Sequence, residues 1–282
     1  VRPPQRGSRR PRIRRCGPVN NDFKRRVRAR EQLHGMWLSL CHPTVAEIAA
    51  GAGFDWLVID VEHAPNTLPT VLAQLRAIGT DVPGVVRLGT NSPVHVGPFL
   101  DIGARNLLVP MVESARSARE LVASVRYPPH GVRGHASALT RASAYGRDES
   151  YVDTADEHIC LIAQIETPEA VADAHDIAAV DGIDALFVGL YDLSARLGFP
   201  NRPDHHHVQS ALRHVVAAAD RADKPTGAFA PTPELAELAR RAGCRLIATG
   251  SDIGILGAGV RALAGWPLDR AEPAATTPAR GR

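Results

Sequence analysis

Trp56-Leu57-Val58-Ile59-Asp60-Val61-Glu62-His63 is an apolar run that stops in two acids and a histidine. A short, continuously apolar run bounded by polar residues reads as a strand buried on both faces. Its stop places titratable groups at the strand's carboxyl end. The same event recurs: Val85-Val86 stops at Arg87, Ile159 to Ile165 at Glu166, and Ala185 to Leu190 at Tyr191-Asp192. In a β/α barrel the carboxyl ends of all strands share one face, where catalytic groups gather. Four such endings in register predict one site.

Outward from that stretch the chain alternates strand-like and helix-like segments. Strands are expected at 35–40, 56–60, 84–88, 106–110, 159–165, 185–189, 226–230 and 246–249, and helices at 44–52, 68–78, 93–102, 114–125, 168–180, 208–222, 233–242 and 253–263. Ser92 before Pro93 and Thr167 before Pro168 read as N-caps followed by proline at the first helical position. Eight β/α units over residues 31–266 predict an α/β protein, a (β/α)8 TIM barrel. Leu40-Cys41-His42-Pro43-Thr44 after the first strand is not the glycine-rich loop that an open dinucleotide-binding sheet requires. The rhythm breaks once, over 126–158, a long connection that reads as a lid or a packed excursion.

Composition narrows the function classes. The chain has 282 residues, 44% of them apolar, and no apolar run nears the ~20 residues that cross a bilayer. Residues 1–30 hold twelve basic residues and one acid, leaving 21 basic against 29 acidic groups in 31–282. The basic character therefore belongs to an N-terminal segment, expected to be a disordered tail, as is 267–282. An acidic body argues against nucleic acid as a partner. Cys16, Cys41, Cys160 and Cys244 are too scattered for a disulfide framework and fit a reducing cytoplasm, with Cys160 and Cys244 as apolar fillers.

The acids carry the chemistry. Glu166 and Asp192 end consecutive strands, which in a sheet run ~4.8 Å apart. Two carboxylates at matching heights suit a hard divalent ion, Mg²⁺ or Mn²⁺ with Co²⁺ as a further option. Taken singly, each reads equally well as a helix cap. Gln164 lies two residues before Glu166 and points the same way by strand alternation. Asp60 beside His63 would fix its tautomer and suit it to proton transfer, whereas alternation turns Glu62 aside. Arg87 is placed either to stabilise a developing oxyanion or to pair with Asp60 or Glu62. His205-His206-His207 is a weak metal candidate, and Gly250-Ser251-Asp252 a weak anion site.

These residues resemble the HpcH/HpaI family of metal-dependent class II pyruvate aldolases from about Gly35 to Leu263. The resemblance is carried by residues 54–67, Leu100-Asp101-Ile102-Gly103-Ala104, Leu108-Val109-Pro110-Met111-Val112, Arg126-Tyr127-Pro128-Pro129, Gln164-Ile165-Glu166 and Asp192-Leu193-Ser194. It implies a barrel of the phosphoenolpyruvate/pyruvate type and a carbon–carbon lyase acting on 4-hydroxy-2-oxo acids through a pyruvate enolate. Glu166 and Asp192 would hold the metal. Asp60, His63 and Arg87 would be catalytic. Gln164 and the Gly189-Leu190-Tyr191-Asp192 turn would bind pyruvate or oxaloacetate beside an aldehyde acceptor. It also implies a homo-oligomer, a trimer or hexamer, that exchanges the last helix. Two departures stand out. Gly189-Leu190-Tyr191-Asp192 replaces the family's Gly-Pro-Ala-Asp, and Gly134-His135-Ala136-Ser137 replaces a Gly-Val-Gly type loop in a lid that helps choose the aldehyde. They leave open an enolate-forming biosynthetic enzyme or oxaloacetate decarboxylase, similar to macrophomate synthase or to citrate-forming and citrate-cleaving relatives. Lys224, alone among lysines after residue 30, sits before a strand and so at the far end, which disfavours a Schiff-base mechanism.

Overall fold

The structure, a computed structural model, describes residues 21–266. Eight parallel strands close into a barrel in chain order: β1 (Leu33–Leu38), β2 (Trp56–Asp60), β3 (Gly84–Arg87), β4 (Asn106–Val109), β5 (Cys160–Ile165), β6 (Ala185–Val188), β7 (Thr226–Phe229) and β8 (Leu246–Ser251). The helices are α1 (Asp22–Arg28), α2 (Pro43–Ala50), α3 (Leu68–Ile78), α4 (Pro93–Asp101), α5 (Ala115–Val125), α6 (Tyr151–His158), α7 (Pro168–Ala172), α8 (Ala174–Ala179), α9 (Leu190–Arg196), α10 (His206–Arg221), α11 (Pro233–Ala242) and α12 (Asp252–Ala264). The (β/α)8 expectation holds. The helix expected over 168–180 is two, α7 and α8, parted at Asp173. Thr167 caps α7 by accepting from the Ala170 amide, whereas the Ser92 side chain makes no capping bond to α4.

Two apolar layers hold the barrel. Outward strand residues such as Leu57, Ile59, Val86, Leu107 and Leu161 pack against the helices. Inward residues, among them Trp37, Trp56, Val58, Leu108, Ile162 and Phe187, fill the interior. Gly35 makes room for the largest of these, because a Cβ there would lie 2.4 Å from the Trp56 ring. Cys160 and Cys244 are buried, as expected of fillers.

The N-terminal expectation needs correction. Residues 22–28 form helix α1, which closes the barrel floor; residues 1–20 and 267–282 lie outside the described residues. Phe23 and Val27 are buried in the interior cluster, with the Phe23 ring centroid 6.0 Å from that of Trp56. Asn21 donates to Asn106 Oδ1 at 2.7 Å, Lys24 Nζ donates to the Ile159 carbonyl at 2.6 Å, and Arg28 Nε donates to Asp184 Oδ1 at 2.9 Å. Basic composition hid the amphipathic spacing of Phe23 and Val27, which lie four residues apart on one helical face. Phe23→Ala should cost about 3–5 kcal/mol of stability, measured by urea unfolding. A loss within a few tenths of wild type would mean that α1 merely rests on the floor.

Of the two readings of residues 126–158, the packed excursion holds and the lid over the chain's own mouth does not. Residues 126–158 connect the end of α5 to the start of β5, so they lie at the floor of their own barrel, opposite the strands' carboxyl ends. Arg141 there donates to the Ile102 carbonyl at 3.0 Å, beside the entry to β4. Tyr127, Ala142, Tyr151 and Ala155 give this excursion its own small core. The Arg133 guanidinium lies over the Tyr127 ring and donates to Asp101 at 3.0 Å.

Candidate active site

The carboxyl ends of the strands gather the expected groups. Asp60 and Arg87 are register partners across β2 and β3, so their side chains leave the barrel wall side by side. Arg87 Nε donates to Asp60 Oδ1 at 3.0 Å and Nη2 to Oδ2 at 3.3 Å, with both residues buried. Asp60 accepts three further bonds, from Trp37 Nε1 at 3.0 Å and from the backbone amides of Glu62 at 2.9 Å and His63 at 3.1 Å. Burial pushes its pKa up, but the Arg87 charge and these donors outweigh burial and hold it below the usual carboxylate range.

That geometry reassigns two residues. Asp60 does not reach the His63 imidazole; it holds the backbone of His63 and the guanidinium of Arg87. The acid beside the ring is Glu62, 3.9 Å from Nε2, and the His63 side chain is 62% exposed at the rim. Glu62 is not turned aside. The strand ends at Asp60, so alternation no longer governs position 62. Asn66 Nδ2 donates to the Asp60 carbonyl at 2.6 Å and helps fix this turn. Arg87 Nη1 lies 2.8 Å from Glu62 Oε2, close enough for an ion pair but not aligned as a hydrogen bond, so that buried oxygen lacks a donor.

Glu166 follows β5 and is buried. Its Oε1 accepts from the Met111 amide at 2.8 Å, and its Oε2 accepts from Gln164 Nε2 at 2.5 Å. Gln164 thus faces Glu166 as alternation predicted, and its own Oε1 is buried without a partner. Met111 was not foreseen. The signal is in the backbone: Met111 takes φ +55°, an uncommon value for a side-chain-bearing residue. Burial pushes the Glu166 carboxyl up to about 7, assisted by the negative charges of Glu62 and Asp192. Asp192 lies in the first turn of α9 and is exposed. Glu62, Glu166 and Asp192 therefore act on one another electrostatically across one mouth.

Gly189 closes the site from β6. A Cβ at this position would lie 2.9 Å from Glu166 Oε2 and 3.1 Å from Gln164 Nε2, so any side chain would enter the space over the carboxylate. The Leu190 side chain is buried in the core, leaving only its backbone for a substrate, while Tyr191 stands at the rim, 36% exposed.

These residues fit a divalent cation. A buried carboxylate with a raised pKa, two more acids whose charge reaches it, an orphaned glutamate oxygen and a side-chain-free cradle all favour added positive charge. Among the described residues no three His, Cys, Asp or Glu groups close around a single point. The weaker candidates do not reach the site. His205 and His207 stack on Phe199, and the three imidazoles lie tilted against one another. Asp252 spends its carboxylate on the amides of Ser39 and Leu40, and Ser251 caps α12, so that turn already holds its own anion.

Comparison with known proteins agrees with this geometry. The family model described as HpcH/HpaI aldolase/citrate lyase matches residues 33–257. The hydroxypyruvate/pyruvate aldolase of Delftia acidovorans is 46% identical over 84% of this chain and 88% of its own length. The 4-hydroxy-2-oxo-heptane-1,7-dioate aldolase of Klebsiella pneumoniae is 44% identical over 87% of this chain and 93% of its own length. A crystal structure of an HpcH/HpaI aldolase/citrate lyase family protein from Burkholderia cenocepacia superposes with a TM-score of 0.83 at 39% identity, covering 87% of this chain and 98% of that one. The chain belongs to the HpcH/HpaI aldolase/citrate lyase family.

Proposed function

We propose that the chain is a class II aldolase, a carbon–carbon lyase that makes or cleaves 4-hydroxy-2-oxo acids by adding pyruvate to an aldehyde. The observation that carries this reading is the mouth itself: three acids that act on one another electrostatically, with the buried Arg87 guanidinium at its wall. Glu166 and Asp192 would hold Mg²⁺ or Mn²⁺, or Co²⁺ in their place. A bound divalent ion supplies Lewis-acid stabilisation of enolate charge. The chain's own residues do the rest. Asp60 locks the Arg87 fork, whose unused N–H groups present positive charge where an enolate oxygen develops. His63, free at the rim beside Glu62, takes the proton of the 4-hydroxyl in cleavage and returns it in synthesis. Gln164 and the Gly189-to-Asp192 turn receive the 2-oxo acid, and Tyr191 stands where the acceptor enters.

The position of the two lysines supports a non-covalent route, since Lys24 belongs to the floor helix α1. Lys224 precedes β7 and donates to the Val180 carbonyl at 2.8 Å, on the floor of the barrel. Helix α12 supports self-association. Ile253, Ile255, Leu256, Val260, Leu263 and Trp266 are each more than half exposed, an apolar surface that an isolated chain rarely tolerates. A trimer or hexamer exchanging α12 would bury it. Among the described residues no helix is long and apolar enough to cross a membrane, and a cytoplasmic setting completes the reading.

Chelation tests it. EDTA should abolish pyruvate–aldehyde turnover, and Mg²⁺ or Mn²⁺ should restore it. Turnover indifferent to EDTA would overturn the mechanism. Oxaloacetate decarboxylation without any aldehyde cleavage would move the chain to the biosynthetic alternative.

A further inference from the structure

The barrel floor carries a cleft that this chemistry does not use. Its volume is about 510 Å³, within the range of small-molecule sites. It lies between α1, the loop entering β3, the start of β4 and the excursion after α5. Three guanidiniums line it: Arg105 at the entry to β4, and Arg141 and Arg147 on the excursion. Among the described residues none of the three forms a salt bridge, although eighteen such contacts occur elsewhere. The one acid in the lining, Asp22, is taken by Arg25 at 2.8 Å.

The forks are largely free. Arg105 makes no side-chain hydrogen bond, Arg141 gives Nη1 to the Ile102 carbonyl at 3.0 Å, and Arg147 gives Nε to the Ala144 carbonyl at 2.8 Å. Arg105 is half-buried, and burial, reinforced by the Arg141 charge, pulls its pKa down against partial opposition from Tyr151 and Asp148. Like charges held together with no acid in salt-bridge contact disfavour one another, and a bound anion would relieve them. The backbone that presents them is strained. Ala144, Tyr145 and Gly146 follow one another at φ +55°, +59° and +76°, a conformation that residues with a Cβ resist. Bonds from the Ala144 amide to Arg141, from the Tyr145 amide to Thr140 and from the Gly146 amide to the buried Ser143 hydroxyl hold the turn. It sets Arg141 and Arg147 on either side and leaves Tyr145 exposed at the cleft.

We propose that this floor cleft binds a phosphate group, gripped by Arg105, Arg141 and Arg147, with Tyr145 placed against whatever the phosphate carries. Guanidinium forks match phosphate oxygens in pairs, and three of them suit a dianion better than a single carboxylate. The site is separate from the mouth and stands whether or not the aldolase reading does.

Calorimetry on the full-length chain at low ionic strength tests it, with inorganic phosphate and adenosine monophosphate as probes. Binding should weaken at least roughly tenfold in Arg105→Gln and in Arg147→Gln, persist in Arg87→Lys, and leave aldol turnover of the two floor variants at the wild-type level. Arg147 is exposed and bonds only a neighbouring carbonyl, so its substitution does not threaten the fold. A tighter nucleotide whose advantage disappears in Tyr145→Ala assigns the site to an ester; equal affinities assign it to inorganic phosphate. Absence of heat with both probes, or heat lost in Arg87→Lys and kept in the floor variants, overturns the proposal.

Discussion

Glu166→Gln should abolish aldol turnover while stabilising the metal-free protein above neutral pH. The substitution keeps shape and the bond from the Met111 amide, and Gln164 can rotate its amide to offer the oxygen that now lacks a partner. It removes the charge on which a divalent ion depends. We expect kcat/KM to fall at least roughly a thousandfold, about 4 kcal/mol of transition-state stabilisation. Stability should move the other way. The carboxyl pKa is raised from 4.5 to about 7, chiefly by burial. A raised acid pKa means that the native state holds its proton longer than the unfolded chain does. The stability it confers is therefore full below pH ~4.5 and lost as pH rises through ~7, with a total loss of roughly 3 kcal/mol. Urea unfolding in EDTA should show that decline in wild type and a flatter curve in Glu166→Gln. A variant that loses activity and stability together at pH 8 would mark Glu166 as a structural residue.

What the residues disclosed in advance follows from which physics is local. Strand β2 was legible because five consecutive buried residues leave no room for polarity until the wall ends at Asp60. Glu166 and Gln164 were legible as a pair because strand alternation holds up to Ile165. Glu62 departs from the rule because it lies two residues past the strand, where the Asp60 carboxylate and Asn66 set the turn instead. Helix α1 was obscured by its charge, since four basic side chains surround the two apolar anchors that enter the barrel. The floor position of the excursion after α5 was in principle readable from topology alone. Helices return the chain to the strands' amino ends, so a connection preceding a strand cannot roof its own site. Met111 had no sequence signal, because a backbone amide acts there and its direction depends on a positive φ.

Asp60→Asn and Arg87→Leu should prove strongly coupled, and Asp60→Asn and His63→Ala should not. In the structure the Asp60 carboxylate receives two guanidinium bonds and none from the imidazole; its link to position 63 is the backbone amide, which alanine retains. Arg87→Leu alone leaves Asp60 and Glu62 with no cation inside the wall, a loss of about 3–5 kcal/mol in stability, and it removes the charge offered to the enolate, costing roughly a hundredfold or more in kcat. Adding Asp60→Asn removes one of the two stranded charges. The double variant should therefore be more stable than Arg87→Leu, with a coupling energy of roughly 1–3 kcal/mol. In activity, Asp60→Asn should add little once Arg87 is gone, because Asp60 works by holding that guanidinium still. His63→Ala should lower kcat by about the same factor with or without Asp60→Asn, as independent groups do. The opposite pattern would decide against this account: Asp60→Asn additive with Arg87→Leu but redundant with His63→Ala would return Asp60 to the histidine, and the ion pair across β2 and β3 would then be scaffolding.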